Sequence, residues 1–158
     1  MGSAVTLTQY HGDLQPLIDW VRFTPLKRSQ NATARQDEPP TDFMEFVRSA
    51  LPTDGYYKFW SNRVSPNSES NGKWLRGFPH VHAWDEKTWT MICYLTACEG
   101  GEILVADHKH MRHAESVSPA PGLCVMVNGN QWHGIRPVLA GERLAIIITA
   151  FRAGDAKE

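Results

Sequence analysis

The sequence predicts an α+β chain, mainly β with helices at its N-terminal end, and a change of character near Gly55 carries that expectation. Before Gly55 two segments space their apolar residues for a helix; after it come short apolar and aromatic runs separated by Gly, Pro, Asn and Ser. A length of 158 residues and an apolar content of 42% suit one domain, residues 1–158, with a core of its own. Within it, residues 1–55 read as a helical N-terminal support and residues 56–152 as the β core.

Taken in order, the first element is a short helix over Pro16 to Arg22. Its apolar residues fall at 14, 17, 18 and 21, and Pro16 is tolerated because it stands in the first turn. Residues 27–40 are polar and aperiodic, which predicts a long loop, of the kind that is either mobile or a lid. Thr41 then reads as the cap of a second helix whose stripe is Phe43, Phe46, Val47 and Leu51, ended by Pro52 and Asp54-Gly55. Strands are expected over Tyr56 to Val64, Gly77 to Trp84, Thr88 to Thr96, Glu102 to Ala106, Gly122 to Asn128 and Arg143 to Phe151. Ser65 to Gly72 is a turn-rich connection, read first as a solvated hairpin loop and second as a gate. There are no internal repeats.

Composition excludes several classes. A net charge of −1 gives no global attraction to nucleic acid, so the expected partner is a small molecule or peptide. Three cysteines, without a C-x-x-C, argue against a disulfide framework and for a reducing cytoplasm. No secretory signal pattern is read at the N-terminus, and Leu144 to Phe151, the longest apolar run, is far too short to span a bilayer.

The chemistry concentrates between Gln131 and Arg143. His133 follows the apolar stretch 122–128 and is expected at a strand end before a Gly-bearing turn; Arg143 comes ten residues later and opens the last strand. Upstream, His80 and His82 are an i, i+2 pair that one strand would present on one face. Three neutral imidazoles from two strands suit a divalent metal, iron included, and leave positions open for other ligands. An arginine beginning an apolar strand is expected to face a carboxylate ligand, the competing reading being an ion pair with Glu142 or Asp107.

At these residues the chain resembles the iron(II)- and 2-oxoglutarate-dependent oxygenases, particularly the short bacterial members related to prolyl hydroxylases. The resemblance covers Tyr56 to Arg152. It rests on the order of His80 to His82, a strand ending in Tyr94-Leu95, the Gly100-Gly101-Glu102 turn, Pro121-Gly122, His133 and Arg143. It implies a double-stranded β-helix, or jelly-roll, core of about eight strands. It also implies that His133 binds iron, that Arg143 pairs with the remote carboxylate of 2-oxoglutarate, and that Tyr94 meets the same carboxylate. The family reads His-x-Asp where this chain has His80-Val81-His82, so the three histidines become the ligand set, with Asp85 as an alternative ligand. The replacement makes the site less anionic, and His82 fills the room that halogenases of the family leave for chloride.

Other residues carry less. His108, His110 and His113 alternate with Lys109 and Arg112, which repel a cation, so a solvated loop is the better reading than a second metal site. Trp84 and Trp132 flank the expected ligands and are candidates to line the substrate pocket; Arg63, Arg76 and Arg136 are lesser candidates for a substrate carboxylate. Two functions compete. The first is an oxygenase that uses Fe(II), 2-oxoglutarate and dioxygen to oxidise a C–H bond of a small molecule or peptide side chain. The second is a cupin-like three-histidine dioxygenase, or a non-catalytic ligand-binding barrel, that does not use 2-oxoglutarate. The His-x-His pair favours the second, and the ten-residue spacing from His133 to Arg143 favours the first.

Overall fold

The longest apolar run of the sequence lies inside the largest sheet. The structure, a computed structural model, describes residues 5–23, 32–68, 71, 88–106, 113–128 and 131–154. Its elements are β1 (Thr6–Gln9), α1 (Gln15–Arg22), β2 (Ala32–Arg35), α2 (Thr41–Ala50), β3 (Tyr56–Val64), β4 (Trp89–Tyr94), β5 (Cys98–Gly100), β6 (Ile103–Ala106), β7 (Glu115–Val117), β8 (Leu123–Asn128), β9 (Trp132–Ile135), β10 (Val138–Gly141) and β11 (Arg143–Phe151). The architecture is mainly β: an antiparallel six-stranded sheet in the order β1-β8-β4-β11-β3-β2, a three-stranded sheet β7-β6-β9 and a β10-β5 pair, with two helices.

Strand β11 pairs with β3 along its whole length, from Arg143↔Val64 to Phe151↔Tyr56, and with β4 from Ala145↔Tyr94 to Ala150↔Trp89. Flanked on both edges and covered on both faces, it reads as an unbroken apolar run. Its even-numbered side chains, Leu144, Ile146 and Ile148, join Phe59, Met91 and Cys93 under Leu17 and Val21 of α1 and Phe43, Met44 and Val47 of α2. Ala145 lies on the other face with Ile92, Tyr94, Val125 and Val127, packed against Ile103 and Val105 of β6. The helices therefore cover one face of the large sheet and the small sheet covers the other.

Several local expectations change. Residues 32–35, expected within a loop, form β2, because the free edge of β3 supplies the pairing that the sequence pattern does not advertise. Arg35 anchors this strand: its guanidinium lies 3.7 Å from the Trp20 ring centroid, donates to the Trp20 carbonyl and Ser61 Oγ, and pairs with Asp37 at 2.9 Å. Residues 1–55 thus contribute β1 and β2 to the large sheet as well as two helices. Thr41 is the first residue of α2 and not its cap; Pro40 holds that place, with no side-chain cap bond. His133 lies within β9, and Gly134 is paired with Leu104 instead of making a turn. The described part of the 65–72 connection is tethered, since Asn71 exchanges two hydrogen bonds with the backbone of Val138, at 2.8 and 3.0 Å. The expected strand over Gly77 to Trp84 lies outside the described residues. No helix among the described residues is long and apolar enough to cross a membrane.

Ile146 is fully buried between the large sheet and the helices. Ile146→Ala should lower the unfolding free energy by about 2–5 kcal/mol, read as a shifted midpoint in denaturant titration at unchanged slope.

Candidate active site

Alternation along β11 turns Arg143 to the same face as Ala145, into the space between the sheets, where only 1% of its surface is exposed. Its backbone is pinned from both sides. The Thr96 hydroxyl donates to the Glu142 carbonyl at 2.6 Å and accepts from the Leu144 N–H at 3.0 Å. Glu142, one residue earlier, points the other way and pairs with Arg22 at 2.8 Å and Arg63 at 2.9 Å. The expected competitor for Arg143 is thereby engaged elsewhere; Asp107 lies outside the described residues. Arg143 makes no ion pair among the described residues. Its Nη1 donates to Asn62 Oδ1 at 2.6 Å, and its Nε–H meets no acceptor among the described residues.

Tyr94 stands beside it. The guanidinium carbon is 5.3 Å from the Tyr94 ring centroid, and the buried phenol O–H meets no acceptor among the described residues. Burial raises the Tyr94 pKa, with the Arg143 charge acting in the opposite direction, so the phenol stays protonated at neutral pH and remains a donor. A buried donor left without an acceptor costs about 1–3 kcal/mol. Two such donors side by side, one of them charged, fit an oxyanion ligand that accepts from both.

The turn over this pair is made by Gly100 and Gly101, at φ +75° and +72°. A Cβ at Gly101 would come within 3.2 Å of Arg143 Cδ and 3.1 Å of Cys98 Sγ, so glycine lets the chain pass against the arginine. Burial also raises the Cys98 thiol pKa, opposed by the Arg143 charge and reinforced by Glu102.

His133 enters from the small sheet. It is the cross-strand partner of Val105, which packs with Tyr94 and Ala145, so it faces the same inter-sheet space as Arg143. The ring is 3% exposed, and its Nδ1 lies 3.2 Å from the Gln131 carbonyl. A carbonyl only accepts, so this contact calls for a proton on Nδ1 and, in the neutral ring, makes Nε2 the nitrogen that could ligate a metal. Gln131 is itself clamped, its Oε1 accepting from the Asn128 N–H at 3.0 Å.

His133, Arg143 and Tyr94 thus face one interior. His80, His82 and Asp85 lie outside the described residues, as do Trp84, Arg76, His108 and His110. Trp132 is adjacent to His133 on β9, so strand alternation turns it to the opposite face and away from the inter-sheet space. Arg63 is held by Glu142, and Arg136 is half-exposed with Glu102 Oε2 at 3.5 Å, so both are surface ion pairs. Asn62 and Thr96 were not singled out by sequence. The alternation in β3 suits either face being buried, and only the position of Arg143 shows that the Asn62 face matters.

The described residues thus bring an inward histidine, a buried arginine and a buried tyrosine together between two sheets of a mainly β chain. The sequence model of the 2OG-Fe(II) oxygenase superfamily matches residues 67–150, and the chain belongs to that superfamily. It is an Fe(II)- and 2-oxoglutarate-dependent oxygenase. No curated protein matches it by sequence. Among solved structures it is similar to a prolyl-4-hydroxylase of Pseudomonas putida, at TM-score 0.65 and 13% identity, covering 94% of this chain and 93% of that one. It is also similar to SnoN, a non-heme alpha-ketoglutarate-dependent epimerase of nogalamycin biosynthesis, at TM-score 0.66 and 10% identity over 95% and 78% of the two chains. HygX of Streptomyces hygroscopicus, solved with iron bound, follows at TM-score 0.56 and 12% identity over 92% and 81%. At these identities the likeness is one of fold.

Gly101→Ala would force an L-residue into the left-handed region against Arg143, at a cost of about 1–2 kcal/mol before any clash. Thermal denaturation should register the loss, and 2-oxoglutarate binding should weaken with it.

Proposed function

We propose that this oxygenase is a hydroxylase of a small molecule or a peptide side chain, built as one domain over residues 1–158 on a double-stranded β-helix core. In this reading Arg143 and Tyr94 hold the remote carboxylate of 2-oxoglutarate. His80, His82 and His133 hold Fe(II), with Asp85 as the alternative ligand. The observation that carries it is the buried Arg143 guanidinium, which makes no ion pair among the described residues and whose Nε–H lacks an acceptor beside the equally unpartnered Tyr94 phenol. Support for the iron assignment comes from His133, whose Nδ1 lies 3.2 Å from the Gln131 carbonyl, so that Nε2 is the ring nitrogen a metal would take. Three free cysteines among the described residues agree with a reducing cytoplasm.

Bound iron supplies the oxidising chemistry that couples decarboxylation of 2-oxoglutarate, giving succinate and CO2, to oxidation of a substrate C–H bond. The protein's own contribution is positioning. Arg143 offers a rigid fork and Tyr94 a neutral O–H to the same carboxylate, which fixes one end of the cosubstrate. The apolar neighbours Ile92, Val125, Ile103 and Val105 keep that end dry, so each hydrogen bond acts in a low dielectric. The Gln131 carbonyl holds the His133 ring in one tautomer and one orientation.

Anaerobic Fe(II) with 2-oxoglutarate should give a weak metal-to-ligand charge-transfer absorption band; metal binding without that band would sink the reading. Arg143→Ala strands the cosubstrate carboxylate, a loss of roughly 3–5 kcal/mol, so affinity for 2-oxoglutarate should fall about a hundredfold to a few thousandfold while iron stays bound. Lysine at this position should restore only part, since it keeps the charge and loses the fork. His133→Ala should show the converse pattern, with iron affinity sharply reduced and the fold intact by circular dichroism.

A further inference from the structure

Arg143 is held by an uncharged partner. Asn62, on β3, is the cross-strand partner of Ala145, shares its inward face and is 1% exposed. Its Oδ1 accepts from Arg143 Nη1 at 2.6 Å. Nη1 is the guanidinium nitrogen on the Cδ side. The opposite edge, formed by Nε–H and Nη2, is one of the two that can fork onto a carboxylate, and its Nε–H meets no acceptor among the described residues. The amide therefore engages the end-on fork at Nη1, and the side-on edge carries the Nε–H that no described residue accepts. Being neutral, it does not itself offset the guanidinium charge, and no ion pair among the described residues does so. Glu142 is adjacent in sequence but faces away and is engaged by Arg22 and Arg63.

We propose that Asn62 is a positioning residue for the cosubstrate: an amide acceptor that orients the Nε–Nη2 edge of Arg143 toward the remote carboxylate of 2-oxoglutarate and preserves the full charge of that edge for it. This rests on the cosubstrate reading of Arg143. Two properties of Asn62 are separable. Its acceptor oxygen sets orientation, and its neutrality sets the charge. Asn62→Asp keeps the shape and the acceptor but adds an anion beside the guanidinium, which cancels the charge and repels the incoming carboxylate. Asn62→Ala removes the acceptor and adds no charge. A residue needed only for packing would tolerate the isosteric aspartate better than the truncation; a residue that preserves charge predicts the reverse order.

The test measures 2-oxoglutarate affinity by calorimetry on protein loaded with Mn(II) under nitrogen, so that no turnover is involved, for the parent, Asn62→Asp, Asn62→Ala and Arg143→Ala. Mn(II) affinity and melting temperature are read on the same samples. Asn62→Asp should weaken 2-oxoglutarate about a hundredfold, the scale of one extra like charge at close range in a partly screened interior. Asn62→Ala should weaken it about tenfold, the scale of one lost buried hydrogen bond. Both should bind Mn(II) as the parent does. With Fe(II), both should raise the KM for 2-oxoglutarate while kcat at saturation is kept. Parent-like affinity in Asn62→Asp, or a larger loss in Asn62→Ala than in Asn62→Asp, overturns the inference. Should Asn62→Asp fail to fold, Asn62→Ala decides alone: a tenfold loss at unchanged Mn(II) affinity supports the inference, and parent-like affinity overturns it. Arg143→Ala separates the two levels. If it loses affinity while Asn62→Asp does not, the cosubstrate reading stands and this inference falls; if Arg143→Ala binds as the parent does, both fall.

Discussion

A guanidinium buried between two β-sheets is the constraint on which the rest of this structure depends. Moving a cation out of water is costly unless it is paired or hydrogen-bonded, yet Arg143 has one amide acceptor and no acid partner among the described residues. Such a group persists only where the surrounding fold leaves it nowhere else to go. Nine residues of β11 are locked to β3 on one side and six are locked to β4 on the other. Thr96 fixes the backbone before and after the arginine, and Gly101 closes the turn over its aliphatic stem. The register of β11 alone decides that Arg143 points inward, since a slip by one residue would send it to the helix face and bring Glu142 to the core.

The large sheet divides its labour by face. One face is wholly given to stability, with Leu144, Ile146 and Ile148 under the two helices in an apolar cluster. The other carries polar groups inside a dry space: Arg143, Asn62 and Tyr94 at one end, and the Thr90 and Thr149 hydroxyls, bonded to each other at 2.9 Å, further along. The threonine pair satisfies itself, whereas Arg143 Nε–H and the Tyr94 hydroxyl meet no acceptor among the described residues, which is why the second pair and not the first is the candidate for binding. The same strands feed both faces, so the helices bear on the site through the sheet they cover and through Arg22, which engages Glu142 beside Arg143.

Charge is sorted by the same alternation. Asn62 and Arg63 are neighbours in β3, as Glu142 and Arg143 are where β11 begins. In each pair one residue faces the interior and the other joins the ion-pair cluster of Glu142 with Arg22 and Arg63. That cluster is partly exposed and screened, so it contributes little stability. Its consequence is that the acid closest in sequence to Arg143 is kept from neutralising it.

Sequence by itself determined the long elements and pointed to the residues proposed to carry the chemistry. The strands Tyr56–Val64 and Arg143–Phe151 were legible to the residue, because strong apolar and aromatic runs bounded by turn formers leave few alternatives. The helix stripes were legible through their period, and Arg143 and His133 because a cation or imidazole beside an apolar strand invites a role. Tertiary structure alone decided the short strands Thr6–Gln9, Ala32–Arg35, Cys98–Gly100, Glu115–Val117, Trp132–Ile135 and Val138–Gly141. Each has too few residues to show a period and takes its conformation from the edge it pairs with. It also decided which face of each strand was the inside. Alternation tells a reader that Asn62 and Arg63 point opposite ways, but only the pairing of β3 with β11 turns the amide to the arginine and leaves the neighbouring charge outside.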